Sequence, residues 1–388
     1  MKVLIIASTD DSLGGAKSLL ELVELLKEKK IQIVVVNPFH NDLNVKLNEM
    51  KIENYSVGYH LNICRKDCGL PKFLIKYCVK FIRYKLYQLR GIYNLSRKID
   101  FTEIDIIHQN NSVEDIGVYF SKKYNIPLVW HLREFGDKDF NFYYFHKNIG
   151  KYISDNSSKV ISISNAIKSA WIEKGVSPEK ISTIVHGVNP NGIVPRKEHE
   201  GKIRIIFAGN IVPQKGQFDF IKAIKQLDIE HKKSILVDFY GTCEEKYKKE
   251  IITYINANGL QDAVRLMGYS SNLKNHLCEY DIGVVNSRCE AMGRVTIEYM
   301  MAGLCVLASN TGANPEMLSG NCGILYEYNN PMSMMSMLLY LLNNTEKIKV
   351  YGACARKKAL DKYSIVKNID LFVELYESLI KPIKKEKL

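Results

Sequence analysis

Two glutamates, Glu290 and Glu298, stand eight residues apart in the stretch CEAMGRVTIEYMMAGLCVLAS. A helix is expected to begin near Gly293 and to end at Gly303, because glycine commonly follows the last turn of a helix. The free N–H groups at a helix start and the positive end of its dipole favour a phosphate. Glu290 precedes this start and Glu298 lies inside the helix, so a carboxylate stands on either side of the phosphate. The spacing therefore predicts a site for a nucleotide diphosphate sugar.

Three further positions are candidates for the same chemistry. Lys215 follows the strand KIRIIFAG and precedes a helix, where a lysine supplies a point charge for a diphosphate; a solvated loop lysine is the alternative. His131 ends the strand IPLVWHL, and ligands of open α/β sheets bind beyond the carboxyl ends of strands. Gly14 and Gly15 open an amphipathic helix and would let a ligand approach backbone N–H groups; a simple turn is the alternative.

Two other chemistries are disfavoured by the sequence. The Gly-x-Gly-x-x-Gly fingerprint of dinucleotide sites is absent, which argues against a nicotinamide enzyme. Asp137 and Asp139 form an Asp-x-Asp pair, which we interpret as the first turn of a helix and not as a metal site. The nine cysteines are scattered and lack a zinc pattern, so they indicate free thiols in a reducing compartment.

Short apolar strands alternate with amphipathic helices through both halves of the 388-residue chain. The alternation predicts an α/β fold with two parallel-sheet domains, and the length also exceeds one usual domain. The stretch 189–202 is rich in Gly, Pro and charge, so we interpret it as a linker. It would separate an N-terminal domain of residues 1–188 from a C-terminal domain of residues 203–365, with a tail helix at 366–388.

The segment VVNSRCEAMGRVTIEYMMAGLCVLASNTGANPEML resembles the donor-site signature of the retaining family 4 glycosyltransferases, also called glycosyl transferases group 1. The shared features are two glutamates separated by seven residues, a Met-Ala-Gly turn, an apolar strand and the motif TGANPE. The resemblance implies the GT-B fold, in which two Rossmann-like domains face each other across a cleft and a C-terminal helix crosses back to the N-domain.

The resemblance also implies a reaction, the transfer of a sugar from a nucleotide diphosphate donor to a hydroxyl group with retention of configuration. Glu290 and His131 would then hold the sugar, Glu298 the ribose, and Lys215 the diphosphate, so the expected catalytic residues are His131, Lys215 and Glu290. A UDP-sugar is the favoured donor, and neither a metal nor a cofactor is expected. The nucleotide base would lie near Gly268 and Tyr269, for which two turn residues are the alternative.

The sequence departs from the family pattern at two places. The family commonly has an arginine after the first strand glycine of the C-domain, where this chain has Asn210, and Arg294 is expected to replace the missing cation. The usual Asn-Gly-Val-Asp at the end of the N-domain reads His186-Gly187-Val188-Asn189 here. The residues expected to bind the donor are Gly14, Gly15, Asn210, Lys215, Gly268, Tyr269, Glu290, Met292, Gly293, Arg294, Val295 and Glu298.

The net charge of +12 is concentrated in one segment, because residues 65–98 hold ten Lys/Arg and one Asp. A local excess does not favour a nucleic-acid binder. A helix here, which Gly91 is expected to break, would place its basic residues on one face. That face predicts contact with an anionic membrane surface, with a solvated helix as the alternative. The residues concerned are Lys72, Lys76, Lys80, Arg83 and Arg90.

The expected location is cytoplasmic, with possible attachment to the inner face of the cell membrane, because the sequence has neither a signal peptide nor eighteen consecutive apolar residues. The basic segment favours a glycan or lipid-linked acceptor of the kind used in bacterial surface polysaccharide synthesis. Two other functions remain open, a nucleotide-sugar epimerase of related fold and an inactive nucleotide-sugar-binding subunit.

Overall fold

A computed structural model of the chain describes residues 1–8 and 14–386. Contacts divide the chain into two compact units. Unit 1 comprises Met1–His186 and the segment from Ile365 onward, and unit 2 comprises Gly187–Ser364. Each unit is built on one parallel sheet, so the prediction of two Rossmann-like parallel-sheet domains is confirmed.

Unit 1 alternates strands and helices as the sequence predicts. Its strands are β1 (Lys2–Ile6), β2 (Gln32–Asn37), β3 (Glu53–Ser56), β4 (Ile63–Arg65), β5 (Ile106–Gln109), β6 (Leu128–Leu132), β7 (Phe142–Tyr144), β8 (Lys159–Ser162) and β9 (Ile181–Thr183). Its helices before the domain boundary are α1 (Gly14–Glu28), α2 (Asp42–Glu49), α3 (Leu70–Lys98), α4 (Ile116–Tyr124), α5 (Asp137–Phe140), α6 (Ile149–Asp155) and α7 (Asn165–Glu173).

In the described part of unit 1 the main sheet has the strand order β3-β2-β1-β5-β6-β8-β9, and all neighbours are parallel. Strand β1 is apolar after its first residue, and Val3, Leu4, Ile5 and Ile6 are fully buried. Such burial on both faces is typical of a parallel strand that helices cover from two sides. The strands β4 and β7 form a separate antiparallel pair.

Unit 2 repeats the same plan. Its strands are β10 (Ile203–Ala208), β11 (Ile235–Tyr240), β12 (Val264–Gly268), β13 (Ile282–Val285), β14 (Cys305–Ser309) and β15 (Ile324–Tyr326). Its helices are α8 (Gln217–Gln226), α9 (Ile229–Ser234), α10 (Glu245–Ala257), α11 (Leu273–His276), α12 (Arg294–Ala302), α13 (Asn314–Leu318), α14 (Pro331–Asn343) and α15 (Thr345–Lys362). The parallel sheet has the order β12-β11-β10-β13-β14-β15.

The C-terminal helix α16 (Ile365–Glu386) belongs to unit 1. Its residues Ile365, Ile369, Phe372 and Tyr376 follow the spacing of one helix face and are buried in the core of unit 1. The chain therefore returns to its first domain at its end, as predicted.

The stretch interpreted as a linker runs along unit 2 without regular structure. Arg196 donates its backbone N–H to the carbonyl of Ala302, and its guanidinium group donates twice to the buried carboxylate of Asp281, at 2.8 and 2.6 Å. Val188 donates its N–H to the carbonyl of Tyr363 and pairs with Ser364 in a parallel bridge. The beginning and the end of unit 2 therefore lie side by side.

The expectation that Gly91 breaks the basic helix is wrong, because α3 runs unbroken for 29 residues. Gly91 is buried on the side of α3 that faces the protein, where a Cβ would lie 2.9 Å from Tyr59 and from Ile116. The glycine is therefore needed for close packing of the helix and not for a bend. Among residues 1–8 and 14–386, no helix is both long and apolar enough to span a bilayer.

Candidate active site

The loop from β13 to α12 has the local structure that the glycines predict. Gly293 is the N-cap of α12 with φ of +69°, and Gly303 is its C-cap with φ of +82°. A Cβ on Gly293 would lie 2.7 Å from the hydroxyl of Thr296 and 3.1 Å from Cγ of Glu290. Glycine is therefore required here both by the backbone conformation and by the crowding of the neighbouring side chains. The buried side chain of Met292 lies just before this turn, and Val295 is in the first turn of the helix.

Lys215 and Glu290 come together in unit 2 although they are far apart in sequence. The Nζ of Lys215 lies 3.7 Å from Oε2 of Glu290 and 3.3 Å from Oγ of Ser287. Lys215 ends a 3-10 turn, and Gly216 follows with φ of +66°, where a Cβ would overlap the side chain of Asn286. The loop after β10 therefore packs directly against the loop after β13, which brings a cation and a carboxylate to the carboxyl end of the sheet.

Among the residues that the structure describes, Glu298 lies near Arg294 and near Lys274, which the sequence analysis missed. Oε1 of Glu298 lies 3.9 Å from Nη2 of Arg294 and 3.8 Å from Nζ of Lys274. Arg294, for which contact with the diphosphate remains a prediction, is the first residue of α12 and lies one helical turn before Glu298. Lys274 lies on the short helix α11, in a polar segment without any pattern that singles it out. Two positively charged side chains therefore lie close to the carboxylate of Glu298.

The motif TGANPE braces the loop that carries Glu290. The hydroxyl of Thr311 donates to the carbonyl of Ser287 at 2.6 Å, and the N–H of Ala313 donates to the carbonyl of Glu290 at 2.7 Å. Gly312 has φ of +55°, and a Cβ there would overlap the backbone of Glu290. The three residues fix the backbone of the glutamate loop, so Glu290 is held by the ends of two adjacent strands, β13 and β14.

The other residues expected to bind the donor follow β10 and β12 of the same sheet. Asn210 accepts a hydrogen bond from the hydroxyl of Thr242 at 3.0 Å, and its carbonyl accepts one from Gln217. Gly268 has φ of +75° with open space around it, and Tyr269, 68% exposed, follows directly. Strands β11 and β10 lie between β12 and β13, so Tyr269 and the glutamate loop follow strands that are separated by two others.

The structure corrects the expectation that His131 presents its ring at a strand end in unit 1. His131 is fully buried, its Nδ1 lies 3.2 Å from Nε2 of His108, and its ring lies against Phe372 of α16. Burial, with help from nearby Arg133, holds the pKa of His131 well below its usual value and so favours the neutral imidazole. The aromatic face of α16 covers this strand end, which explains why the ring is in the core. Gly14 and Gly15 begin α1 as predicted, but the loop 9–13 before them lies outside the described residues.

Two buried carboxyl groups that the sequence analysis missed follow β5 and β6 in unit 1. Glu134 accepts hydrogen bonds from the N–H and the hydroxyl of Ser112, and burial raises its pKa to about 7. Glu114 accepts a hydrogen bond from the hydroxyl of Tyr59 at 3.0 Å, and burial raises its pKa to about 8. No sequence pattern distinguishes either residue, because their burial depends on tertiary contacts.

Asp137 and Asp139 lie in the first turn of α5, as interpreted. Asp139 accepts hydrogen bonds from the N–H groups of Phe135 and Gly136, at 2.8 and 2.7 Å. Asp139 thus caps the first turn of α5. Within the described ranges 1–8 and 14–386, no group of three or more His, Cys, Asp or Glu side chains is arranged to hold a metal ion.

Two family models match consecutive parts of the chain. The model for Glycosyltransferase Family 4 matches residues 13–191, and the model for Glycosyl transferases group 1 matches residues 193–358. The second match contains Lys215, Glu290 and Glu298.

Curated relatives and a solved structure agree with these matches. The chain is 29% identical to the uncharacterized glycosyltransferase MJ1178 of Methanocaldococcus jannaschii, over 76% of this chain and 83% of the relative. It is 25% identical to the poly(ribitol-phosphate) alpha-N-acetylglucosaminyltransferase of Staphylococcus aureus, over 66% of this chain and 51% of the relative.

The structure of Anabaena Alr3699/HepE in complex with UDP superposes with a TM-score of 0.78 at 18% identity, covering 97% of this chain and all of HepE. This likeness concerns the fold, which is GT-B. The two family models match one after the other and together cover most of the chain, and each unit has the expected parallel sheet. The chain therefore belongs to the family 4 glycosyltransferases, also known as glycosyl transferases group 1.

Proposed function

We propose that the protein transfers a hexose-type sugar from UDP to a hydroxyl group of a glycan or lipid-linked acceptor, with retention of configuration, in bacterial surface polysaccharide synthesis. The observation that carries the proposal is the convergence of Lys215, Glu290 and the N-terminus of α12 at one end of the unit 2 sheet. A cation and free helix N–H groups suit a diphosphate, and the adjacent carboxylate suits sugar hydroxyl groups.

The donor-binding roles follow from this arrangement. The diphosphate lies between the ammonium group of Lys215 and the first N–H groups of α12. Glu290 accepts hydrogen bonds from the sugar, and Glu298 accepts them from the ribose. Exposed Tyr269 offers an aromatic surface to the base. Lys274 and Arg294 add positive charge near Glu298. This charge offsets the loss of the arginine that the family commonly has at position 210, where this chain has asparagine.

The reaction depends on stabilising the leaving diphosphate. The acceptor oxygen forms a bond to the anomeric carbon on the face from which the diphosphate departs, while the bond between that carbon and the diphosphate oxygen breaks. The same diphosphate oxygen takes the proton of the acceptor hydroxyl, so no protein nucleophile and no metal enters the step. Lys215 and the helix N–H groups stabilise the negative charge that develops on the leaving group, and Glu290 orients the sugar.

The relatives support the choice of substrates. HepE has been crystallised with UDP and with UDP-glucose, which favours a uridine donor with a hexose. The name of the S. aureus relative states that it acts on poly(ribitol-phosphate), and a polymer of that kind agrees with a glycan acceptor. We place the enzyme in the cytoplasm, attached to the inner face of the membrane through the basic face of α3, that is Lys72, Lys76, Lys80, Arg83 and Arg90.

The experiment is a donor panel with product analysis. UDP-, GDP- and ADP-sugars are incubated with the protein in the presence and absence of lipid-linked and glycan acceptors, and nucleotide release and sugar products are measured by mass spectrometry. We expect UDP release that depends on an acceptor, together with a new glycosidic bond of unchanged anomeric configuration. Conversion of the donor sugar without UDP release would identify an epimerase instead. Donor binding without any turnover on the panel would identify a nucleotide-sugar-binding subunit.

A further inference from the structure

One face of helix α3 packs against the rest of unit 1. Phe73, Tyr84, Gly91 and Leu95 are buried on this face. The rings of Phe73 and Tyr77 contact Tyr143 of β7 at centroid distances of 5.6 and 5.4 Å. The hydroxyl of Tyr84 donates to the buried carboxylate of Asp115. The helix is therefore fixed to unit 1 along this side, and its outer surface is not needed for the fold.

The outer surface of α3 carries a continuous apolar row, which we call the α3 stripe. Projected at 100° per residue, its side chains fall within an arc of about 80° and extend over about 27 Å of helix. Among the described residues, 1–8 and 14–386, each of these side chains is at least 44% exposed. The members of the α3 stripe are Ile75, Val79, Ile82, Leu86, Leu89 and Tyr93.

A row of cations borders the stripe. Lys72, Arg83, Arg90 and Arg97 lie in the adjoining arc and are exposed. Exposed Lys85 lies on the other side of the stripe. Lys76, by contrast, is held by Asp67 at 2.5 Å and by the carbonyl of Arg65, so it contributes less free charge than the sequence suggests. The 29 residues of α3 include no Asp or Glu.

The charges around the α3 stripe favour an anionic membrane over a second copy of the chain as its binding partner. If two copies of the chain packed stripe against stripe, each would bring only cations to the margins of the contact, since α3 has no acidic side chain to pair with them. An anionic bilayer satisfies both features at once, because lipid phosphates pair with the cations and the acyl boundary takes up the apolar side chains.

We infer that the α3 stripe inserts into the boundary between headgroups and acyl chains of an anionic membrane, with the adjoining arginines and Lys72 on lipid phosphates. The inference deepens the proposed function, on which it rests only for the idea that the acceptor is at the membrane. It differs from attachment by the basic face alone, because apolar insertion persists at salt concentrations that screen surface charge.

The test measures flotation of the full chain with vesicles, without any sugar substrate. We expect binding to phosphatidylglycerol-containing vesicles, little binding to pure phosphatidylcholine vesicles, and a bound fraction that persists at high salt. The variant Ile82→Ser/Leu86→Ser should weaken binding by at least about tenfold. Its control, Ile229→Ser/Met332→Ser, removes equally exposed apolar side chains from unit 2 and should bind like the wild type.

A second pair of variants separates charge from insertion. Arg83→Glu/Arg90→Glu should abolish the preference for anionic vesicles, whereas Lys246→Glu/Lys249→Glu on α10 should not. Circular dichroism and the thermal shift produced by UDP check that each variant is folded. Wild-type binding by Ile82→Ser/Leu86→Ser would overturn the inference. So would a dimer of the wild type, seen by analytical ultracentrifugation, that the same substitutions dissociate. Donor turnover with a small acceptor in detergent-free buffer tests the proposed function separately, since it requires no vesicle.

Discussion

The ammonium group of Lys215 lies 3.7 Å from the carboxylate of Glu290. This ion pair connects the loop after β10 with the loop after β13. These two strands are neighbours in the sheet, so the pair sits where the ends of parallel strands meet. Lys215 is nearly half exposed and Glu290 is one-fifth exposed. In the proposed function, this exposure lets the ammonium group turn from Glu290 to the donor diphosphate.

Removing the cation should affect catalysis far more than folding. We expect Lys215→Ala to lower kcat by about 10²- to 10³-fold, because the leaving diphosphate loses a preorganised charge, while the midpoint of thermal unfolding changes little. The measurement is steady-state UDP release at saturating acceptor. Lys222→Ala is the matched control, since Lys222 is an equally exposed lysine on α8 that pairs with Asp219. Equal rates for Lys215→Ala and the wild type would remove the proposed role.

Glu298 should determine whether the enzyme recognises the ribose. We expect Glu298→Ala to weaken binding of UDP but to leave binding of 2′,3′-dideoxy-UDP almost unchanged, because only the ribose hydroxyl groups donate to the carboxylate. Isothermal titration with the two nucleotides gives the ratio of Kd values, which should fall towards unity in the variant. A ratio that Glu298→Ala leaves unaltered would mean that the carboxylate serves only Arg294 and Lys274.

Gly312 should tolerate no side chain, whereas Gly268 should tolerate one at modest cost. Both have positive φ, but a Cβ on Gly312 overlaps the backbone of Glu290, and a Cβ on Gly268 meets nothing within 4 Å. We expect Gly268→Ala to lower the free energy of unfolding by about 1 kcal/mol from backbone strain alone. Gly312→Ala should cost more and should also abolish the thermal shift produced by UDP. Similar unfolding curves for both variants would show that the loop relaxes freely.

The buried Glu134 should make unit 1 less stable as the pH rises. Its pKa is about 7 in the folded chain, above the ordinary value, because burial penalises the charged form. The folded state therefore holds a proton that the unfolded state releases, and stability is lost between about pH 4.5 and 7. Glu134→Gln should gain up to about 3 kcal/mol at pH 8 relative to the wild type and flatten the profile. Urea unfolding at several pH values measures this, and parallel profiles would refute it.

The thiols of Cys322 and Cys354 should form a disulfide on oxidation. Their sulfur atoms lie 2.6 Å apart, and both face the carbonyl of Gly320. Burial and the neighbouring thiol raise the pKa of Cys322 to about 11, so the reaction should accelerate with pH. Diamide treatment followed by peptide mapping should yield the Cys322–Cys354 link, and Cys354→Ser should prevent it. Links distributed over other cysteines would contradict the geometry.

The sequence predicts those features that depend on local signals. Gly293 and Gly303 define α12 to the residue, because each adopts a left-handed conformation at a helix end. The meeting of Lys215 and Glu290 also follows from the sequence pattern, since both lie in loops that follow strands of one parallel sheet.

Features that depend on distant parts of the chain are not predictable in this way. His131 is buried by α16, which belongs to the far end of the sequence. The periodicity of α3 gives its faces, but it does not tell which face the β4–β7 pair covers, because β7 comes from a segment more than forty residues after the helix. Lys274 lies in a short polar stretch that resembles any surface loop, so only the fold brings it to Glu298.

The pairing of Val188 with Ser364 has a consequence for how this enzyme can be rebuilt. Because the second sheet is entered and left at adjoining points, it is topologically an insert within the first. We therefore expect that unit 2 of a related chain can be exchanged between these two positions while unit 1 and its final helix α16 remain an intact host.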